Sequence, residues 1–255
     1  MTQHSEKNIR FIKLTLEYDG SDFSGWQLQP DCRTVQREIE NALKALIHEE
    51  VRVVGAGRTD AGVHALGQVV SFPTQNMLPL SAFEKGLNVL LPEDVRVIRT
   101  EEMDQPFDAR RHAVRRTYRY VIAKHRRVVG RQYAWYPRMV VSLEPMKRAA
   151  EHLLGVHDFT SFCKSNGNTD NFLSRVTDVR WDETDEELRF EITAVRFLRH
   201  MVRIIVGTLL EVGCGKISPE EIREIIEARD RSRAGPTVPS RGLFLVRVDY
   251  DMVNF

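Results

Sequence analysis

Two hydrophobic periods alternate along the chain, and each marks out an element. In FIKLTLEYDG (residues 11–20) apolar and polar positions alternate up to Asp19-Gly20, which predicts a strand running into a turn. A loop, SDFSGWQLQPDCR, follows. From Thr34 the apolar residues Val35, Ile39, Ala42, Leu43, Leu46 and Ile47 form one stripe of 3.6-residue period, a helix with Thr34 as its cap. VRVVGAG and GQVVSF read as a strand pair flanking the glycine-rich stretch RTDAGVHAL. A short helix near SAFEKGLNVLL, a break at Pro92 and a strand VRVIR complete this half.

The same succession then recurs in outline. TYRYVIA predicts a strand, LEPMKRAAEHLLG a helix capped by Ser142, and LSRVTDVRW and LRFEITAV two further strands. An apolar helix is expected from about Phe197 to Val212. SPEEIREIIEAR carries a capping box of Ser218 and Glu221 with Pro219 at the first helical position, and GLFLVRVDY closes as a strand. Strict βαβ alternation is missing, so the pattern predicts α+β halves with mainly antiparallel sheets, joined near Asp104–Asp108 as domains 1–106 and 107–255.

Composition narrows the class. The 255 residues are 42% hydrophobic and 29% charged, and no apolar run approaches the ~20 residues of a membrane span, so a soluble globular protein with no membrane partner is expected. The N-terminal MTQHSEKNIRFIK is polar where a signal peptide is apolar, and Cys32, Cys163 and Cys214 are scattered and odd in number. A reducing cytoplasm is the expected compartment. No CxxC, GxSxG, HEXXH, zinc-deaminase or GxGxxG signature is present, which leaves no cofactor and no metal expected.

Charge first argues against nucleic acid and then for it. The formal net charge is only +1, yet 29 of the 37 basic residues are arginine, the side chain whose planar fork grips phosphates and stacks on bases. Ala109–Leu143 holds ten Lys or Arg and no Asp or Glu, while Asp182–Glu187 and Glu220–Asp230 are strongly acidic. A neutral total thus coexists with a cationic face.

Three stretches carry candidate chemistry. In GAGRTDAGVHALGQ the small residues Gly55, Ala56 and Gly57 precede Arg58, Thr59 and Asp60, so backbone can approach a ligand beside a carboxylate and a guanidinium; the competing reading is a plain hairpin turn at Asp60-Ala61-Gly62. In FDARRHAVRRTYRY and the strand Thr117–Ala123 that continues it, Tyr118, Tyr120 and Ile122 share a face among Arg110, Arg111, Arg115, Arg116 and Arg119, a pattern suited to stacking bases and gripping phosphates, or equally to a core face with a solvated arginine edge. In FLRHMVRIIVG and the arginine just before it, Arg196, His200 and Arg203 are spaced as one helical stripe; a buried Arg203 needs an acid, and Asp60 is the candidate.

YDGSDFSGWQLQP, TVQREIENAL, GAGRTDAGVHALGQVVSF, FDARRHAVRRTYRY, HDFTSF, FLRHMVRIIVG and GLFLVRVDY, in this order, resemble the tRNA pseudouridine synthase A (TruA) family over nearly the whole chain. The resemblance implies an enzyme that isomerises uridine to pseudouridine at positions 38, 39 and 40 of the tRNA anticodon arm, without metal or nucleotide cofactor, as a cytoplasmic homodimer. It implies two ferredoxin-like (RRM-like) halves forming a continuous, mainly antiparallel sheet flanked by helices around a positively charged central cleft. Carried onto this chain, the catalytic aspartate is Asp60, the active-site tyrosine Tyr118, and the arginine partner of the aspartate Arg203. Arg58 matches a tRNA-contacting arginine. Arg110, Arg111 and Arg126 lie where such enzymes hold RNA, and the leucine of the last motif falls at Leu243 or Leu245, with Leu245 assigned to substrate binding. Arg199 stands where relatives often carry an aromatic residue, and the polar loop Lys164–Asn171 matches no pattern. A non-catalytic tRNA-binding or RNA-folding protein on the same scaffold is the alternative.

Overall fold

The computed structural model describes residues 9–164 and 170–251, so residues 165–169 of the Lys164–Asn171 loop lie outside the described residues. The chain divides into two compact units. One runs to Val114 and takes in the chain from Val248 onward; the other is Arg115–Arg247. The division thus falls beyond the expected break at residues 106 and 107, and the last strand is shared out between the units. Core packing explains the shift: Phe107 and Ala109 are buried with Ala56 and Val69, and Val248 and Tyr250 pack against the same cluster.

The first unit contains β1 (Arg10–Tyr18), α1 (Val35–Ile47), β2 (Val54–Gly55), β3 (His64–Thr74), α2 (Leu80–Leu90) and β4 (Val95–Met103). The strands lie in the order β4-β1-β3-β2 with antiparallel neighbours, as in a ferredoxin-like split βαβ arrangement. β1 sits between β3 and β4, with Leu14 opposite both Val70 and Thr100. Its alternation buries Ile12, Leu14 and Leu16 completely, as expected of a strand that places one face on helices.

The second unit is built from β5 (Ala113–Ala123), α3 (Leu143–Glu151), β6 (Gly155–Asp158), β7 (Leu173–Glu183), β8 (Glu187–Ala194), α4 (Met201–Gly213), α5 (Glu221–Ala228) and β9 (Leu243–Tyr250). Its order β9-β5-β8-β7 repeats the pattern of the first, with the four-residue β6 added at the edge. β5, β8 and β7 are joined by antiparallel ladders. Glu191 on β8 is flanked across them by Arg119 of β5 and Arg180 of β7, and both arginines bond its carboxylate. Burial alone would raise the carboxyl pKa, but the two guanidiniums hold it below the ordinary range. Arg119 is thereby part of the sheet.

Several end signals act differently from the sequence expectation. Thr34 takes the cap position of α1 with extended backbone, but its side chain makes no capping bond. The carbonyls of Gly25 and Trp26 accept from the N–H groups of Val35 and Gln36 instead, so the preceding loop satisfies the helix start. Ser142 likewise caps α3 without a side-chain bond. At α5 one arm of the capping box forms, Ser218 N–H donating to Glu221 Oε2 at 2.6 Å, while the helix proper begins at Glu221.

The strand expected over VRVVGAG shrinks to the two residues of β2, and α4 starts later than its apolar pattern predicts. The helix begins at Met201, not near Phe197, because His200 adopts a left-handed conformation (φ 62°) that interrupts any helix before it. Arg196 therefore sits on an exposed loop and only Arg203 of the expected basic stripe lies on the helix. No helix among the described residues is long and apolar enough to cross a membrane.

Candidate active site

The loop after β2 carries Arg58, Thr59 and Asp60 in the first unit. Arg58 is exposed, Asp60 half-buried and Thr59 buried, so three adjacent side chains leave the backbone in three different environments. The hairpin reading is correct as far as it goes. Val63 N–H donates to the Asp60 carbonyl at 3.1 Å, and Gly62 at φ 73° supplies the left-handed residue this turn needs.

The small residues before Arg58 have a packing role. A Cβ on Gly55 would stand 2.6 Å from the Trp26 ring, and Ala56 belongs to the core cluster around Phe107. The expected open cradle at Gly55 is therefore filled by indole. The loop is gripped from the side as well: Trp26 N–H donates to the Thr59 carbonyl at 3.0 Å, and Gly25 (φ 97°) passes so close that a Cβ would lie 2.7 Å from that oxygen. Beneath it, the Tyr18 hydroxyl lies 2.8 Å from Thr59 Oγ1, and Gln68 Nε2 donates to the Gly57 carbonyl at 2.9 Å.

Burial pushes the Tyr18 phenol up to about 12, against the lowering pull of its hydrogen bonds to Thr59 and Gln68. A phenol raised above its unfolded value stabilises the fold fully below about pH 10, and that contribution is lost as pH rises toward about 12. Wild type is expected to lose stability over this window more steeply than Tyr18→Phe. Denaturant titrations at successive pH values check this, and equal pH slopes would contradict it.

Arg110 and Arg111 also belong to the first unit. Their backbone N–H groups both donate to Asp108 Oδ1, at 2.8 and 2.9 Å, leaving the two guanidiniums on an exposed turn. That turn is fixed: Ala109 N–H donates to Ser71 Oγ, and the Tyr250 hydroxyl donates to the Ala109 carbonyl. Asp108 is a feature the charge count passed over.

Tyr118, Arg126, Arg203 and Leu245 lie in the second unit. Tyr118 is buried to 8% exposure and packs edge-on against Phe197, with ring centroids 4.9 Å apart. Tyr120 is fully buried, and its hydroxyl donates to the Pro239 carbonyl at 2.8 Å, so for this tyrosine the core reading holds. Its pKa is pushed up by burial, with Arg203 and Arg241 pulling the other way. Arg203 Nε donates to the Val238 carbonyl at 2.7 Å, which aims the guanidinium from half-buried surroundings. Arg126 is exposed, whereas Leu245 is fully buried and Leu243 nearly so. Arg199, on the turn before α4, is exposed, and its carbonyl accepts from Lys164 N–H.

A tRNA pseudouridine synthase family model matches residues 15–110 and 149–251. The chain belongs to this family. Among its relatives, tRNA pseudouridine synthase A of Bacillus subtilis (strain 168) is 45% identical over 94% of this chain and 99% of its own length. The Acetivibrio thermocellus protein of the same name is 44% identical over 95% and 100%, and that of Moorella thermoacetica 45% over 94% and 99%. Among solved structures, an H/ACA RNP bound to a substrate RNA shares 11% identity, covering 78% of this chain and 53% of that one at a TM-score of 0.34. The segments matched to the pseudouridine synthase family contain Arg58, Asp60, Arg110, Arg203 and Leu245, while Arg111, Tyr118 and Arg126 fall between them. Membership makes this chain an isomerase of tRNA uridine.

Proposed function

We propose that this protein isomerises uridine to pseudouridine at positions 38, 39 and 40 of the tRNA anticodon arm, with Asp60 as the essential carboxylate. The observation that carries the reading is the Arg58–Asp60 loop: a half-buried carboxylate beside an exposed guanidinium, on a loop clamped by core residues, in a chain of this family. The reaction breaks the C1'–N1 bond of uridine, turns the base and joins C1' to C5; the hydrogen lost from C5 is matched by one gained at N1. It needs no redox partner. One carboxylate suffices, acting as nucleophile or base on the sugar or as nucleophile toward the base.

The remaining assignments follow the chemistry of each side chain. Arg203, aimed by the Val238 carbonyl, acts as a cationic substrate-binding group, and Tyr118 stacks on the extruded base. Arg58, Arg110, Arg111 and Arg126, all exposed, hold phosphates. Leu245 acts from the core side, since it is fully buried. Drawing the target base out of the helical stack costs roughly a few kcal/mol, which the arginine contacts offset. The protein works as a homodimer in the cytoplasm, and a positively charged cleft receives the arm.

Carbodiimide treatment and primer extension on an unmodified tRNA transcript, incubated with the protein, locate any pseudouridine. Stops one nucleotide 3' of positions 38, 39 or 40, wherever uridine stands there, are the expected pattern. Stops that place pseudouridine only at other positions would overturn the assignment.

A further inference from the structure

Beneath the Asp60 loop lies a set of buried polar side chains. Tyr18 on β1 and Gln68 on β3 are 4% and 0% exposed, and Thr59 is 6% exposed. Buried polar groups are costly unless bonded, and these are bonded to one another and to the loop. The Tyr18 hydroxyl meets Thr59 Oγ1 at 2.8 Å, while the Gln68 amide donates to the Gly57 carbonyl at 2.9 Å and approaches the Tyr18 hydroxyl at 3.5 Å. Gln68 and Tyr18 therefore reach the loop on either side of Arg58, at Gly57 and at Thr59.

We propose that Tyr18, Gln68 and Thr59 are positioning residues that set the height and direction of Asp60 from below. The inference rests on the proposed role of Asp60. Two features favour it over simple core filling. First, the Tyr18 hydroxyl reaches the residue before Asp60 and the Gln68 amide nitrogen the carbonyl three before it, while the Gln68 amide oxygen is fixed on its own strand by Val69 N–H. Second, the far side of the same segment is fixed by Trp26 N–H on the Thr59 carbonyl, so the backbone at Thr59 is held at both its side chain and its oxygen. A carboxylate that must reach one atom of a base or sugar loses rate steeply when it is misplaced by an ångström. Such placement is what two independent anchors provide.

The test compares wild type with Tyr18→Phe, Thr59→Val and Thr59→Ser by single-turnover tritium release from [5-³H]uridine-labelled tRNA, together with tRNA binding. Tyr18→Phe and Thr59→Val are expected to slow the chemical step by about tenfold or more with tRNA affinity within about twofold of wild type. Thr59→Ser, which keeps the hydroxyl, is expected to restore most of the rate. The double variant should be no slower than the worse single one, because both changes break one contact. A filler role alone would lower thermal stability and leave the rate per folded molecule unchanged, and that result would overturn the proposal. Amide hydrogen exchange supplies a readout that does not need turnover: faster exchange in residues 57–63 of Tyr18→Phe, with α2 and β4 unchanged, supports the anchoring role, and unaltered exchange refutes it. Should wild type itself release no tritium, the proposed function fails while the exchange result still decides whether the network holds the loop.

Discussion

Asp60→Ala is expected to abolish isomerisation, lowering the single-turnover rate by roughly four orders of magnitude or more, the usual scale for removing a covalent or general-base group. Affinity for tRNA is expected to stay within a few-fold of wild type. The separation follows from the loop itself. Arg58, Arg110 and Arg111 are exposed and, in the proposed function, meet phosphate, whereas Asp60 is half-buried and of the wrong sign to attract RNA. The fold should survive, because the turn at Asp60 is made by its backbone carbonyl accepting from Val63 N–H, and neither Trp26 nor Tyr18 reaches the loop through the carboxylate. Quenched-flow or manual sampling with mass-spectrometric detection of pseudouridine, alongside filter binding, measures both quantities. Residual turnover within about a hundredfold of wild type would remove Asp60 from its assigned role.

Gly207→Ala is expected to destabilise the protein by about 2 kcal/mol or more, lowering Tm by roughly 5 °C, although Ala is ordinarily favoured over Gly inside a helix by about 1 kcal/mol. The sign reverses because α4 has no room there: a Cβ on Gly207 would stand 1.8 Å from the Pro236 carbonyl oxygen. The opposing segment cannot yield cheaply. Gly235 is itself pressed against Thr208, a Cβ there falling 2.8 Å from Thr208 Cα, and Gly235 N–H donates to Thr208 Oγ1 at 2.9 Å. Two glycines, one on each side, let residues 235–239 lie against the helix. That strap also supplies the Val238 carbonyl to Arg203 and the Pro239 carbonyl to Tyr120, so displacing it should turn the Arg203 guanidinium as well. Thermal unfolding followed by circular dichroism checks the stability effect. A Tm equal to or above that of wild type would show that the strap gives way freely.

Periodic signals within one segment were legible in the sequence; contacts between distant segments were not. The alternation of β1 and the stripes of α1 and α5 place those elements within a residue or three of their observed bounds, because each pattern is local. The four residues of β6 are too few to show a period, and the start of α4 depends on the backbone of His200, which no apolar spacing reports. At the site, Arg58 and Asp60 stood out by residue type. Their supports did not: Tyr18 and Thr59 are 41 residues apart, Gly57 and Gln68 eleven, and a tyrosine or glutamine in a strand reads as ordinary sheet composition. Gly55 follows the same rule, since its need for space comes from Trp26, a residue far from it in the chain. A signal was available in Gln68, a long polar side chain next to Val69 and Val70 in the middle of β3, where a buried amide wants a partner.

The most direct test of the account is tritium release from [5-³H]uridine-labelled tRNA by the wild-type protein, with no metal or cofactor added, using one transcript with uridine at positions 38–40 and a matched transcript in which those positions carry no uridine. Exchange of the C5 hydrogen accompanies formation of the new C1'–C5 bond. Release of close to one tritium per eligible uridine from the first transcript and none from the second is the predicted result. No release from either, with tRNA binding retained, or equal release from both, would contradict it.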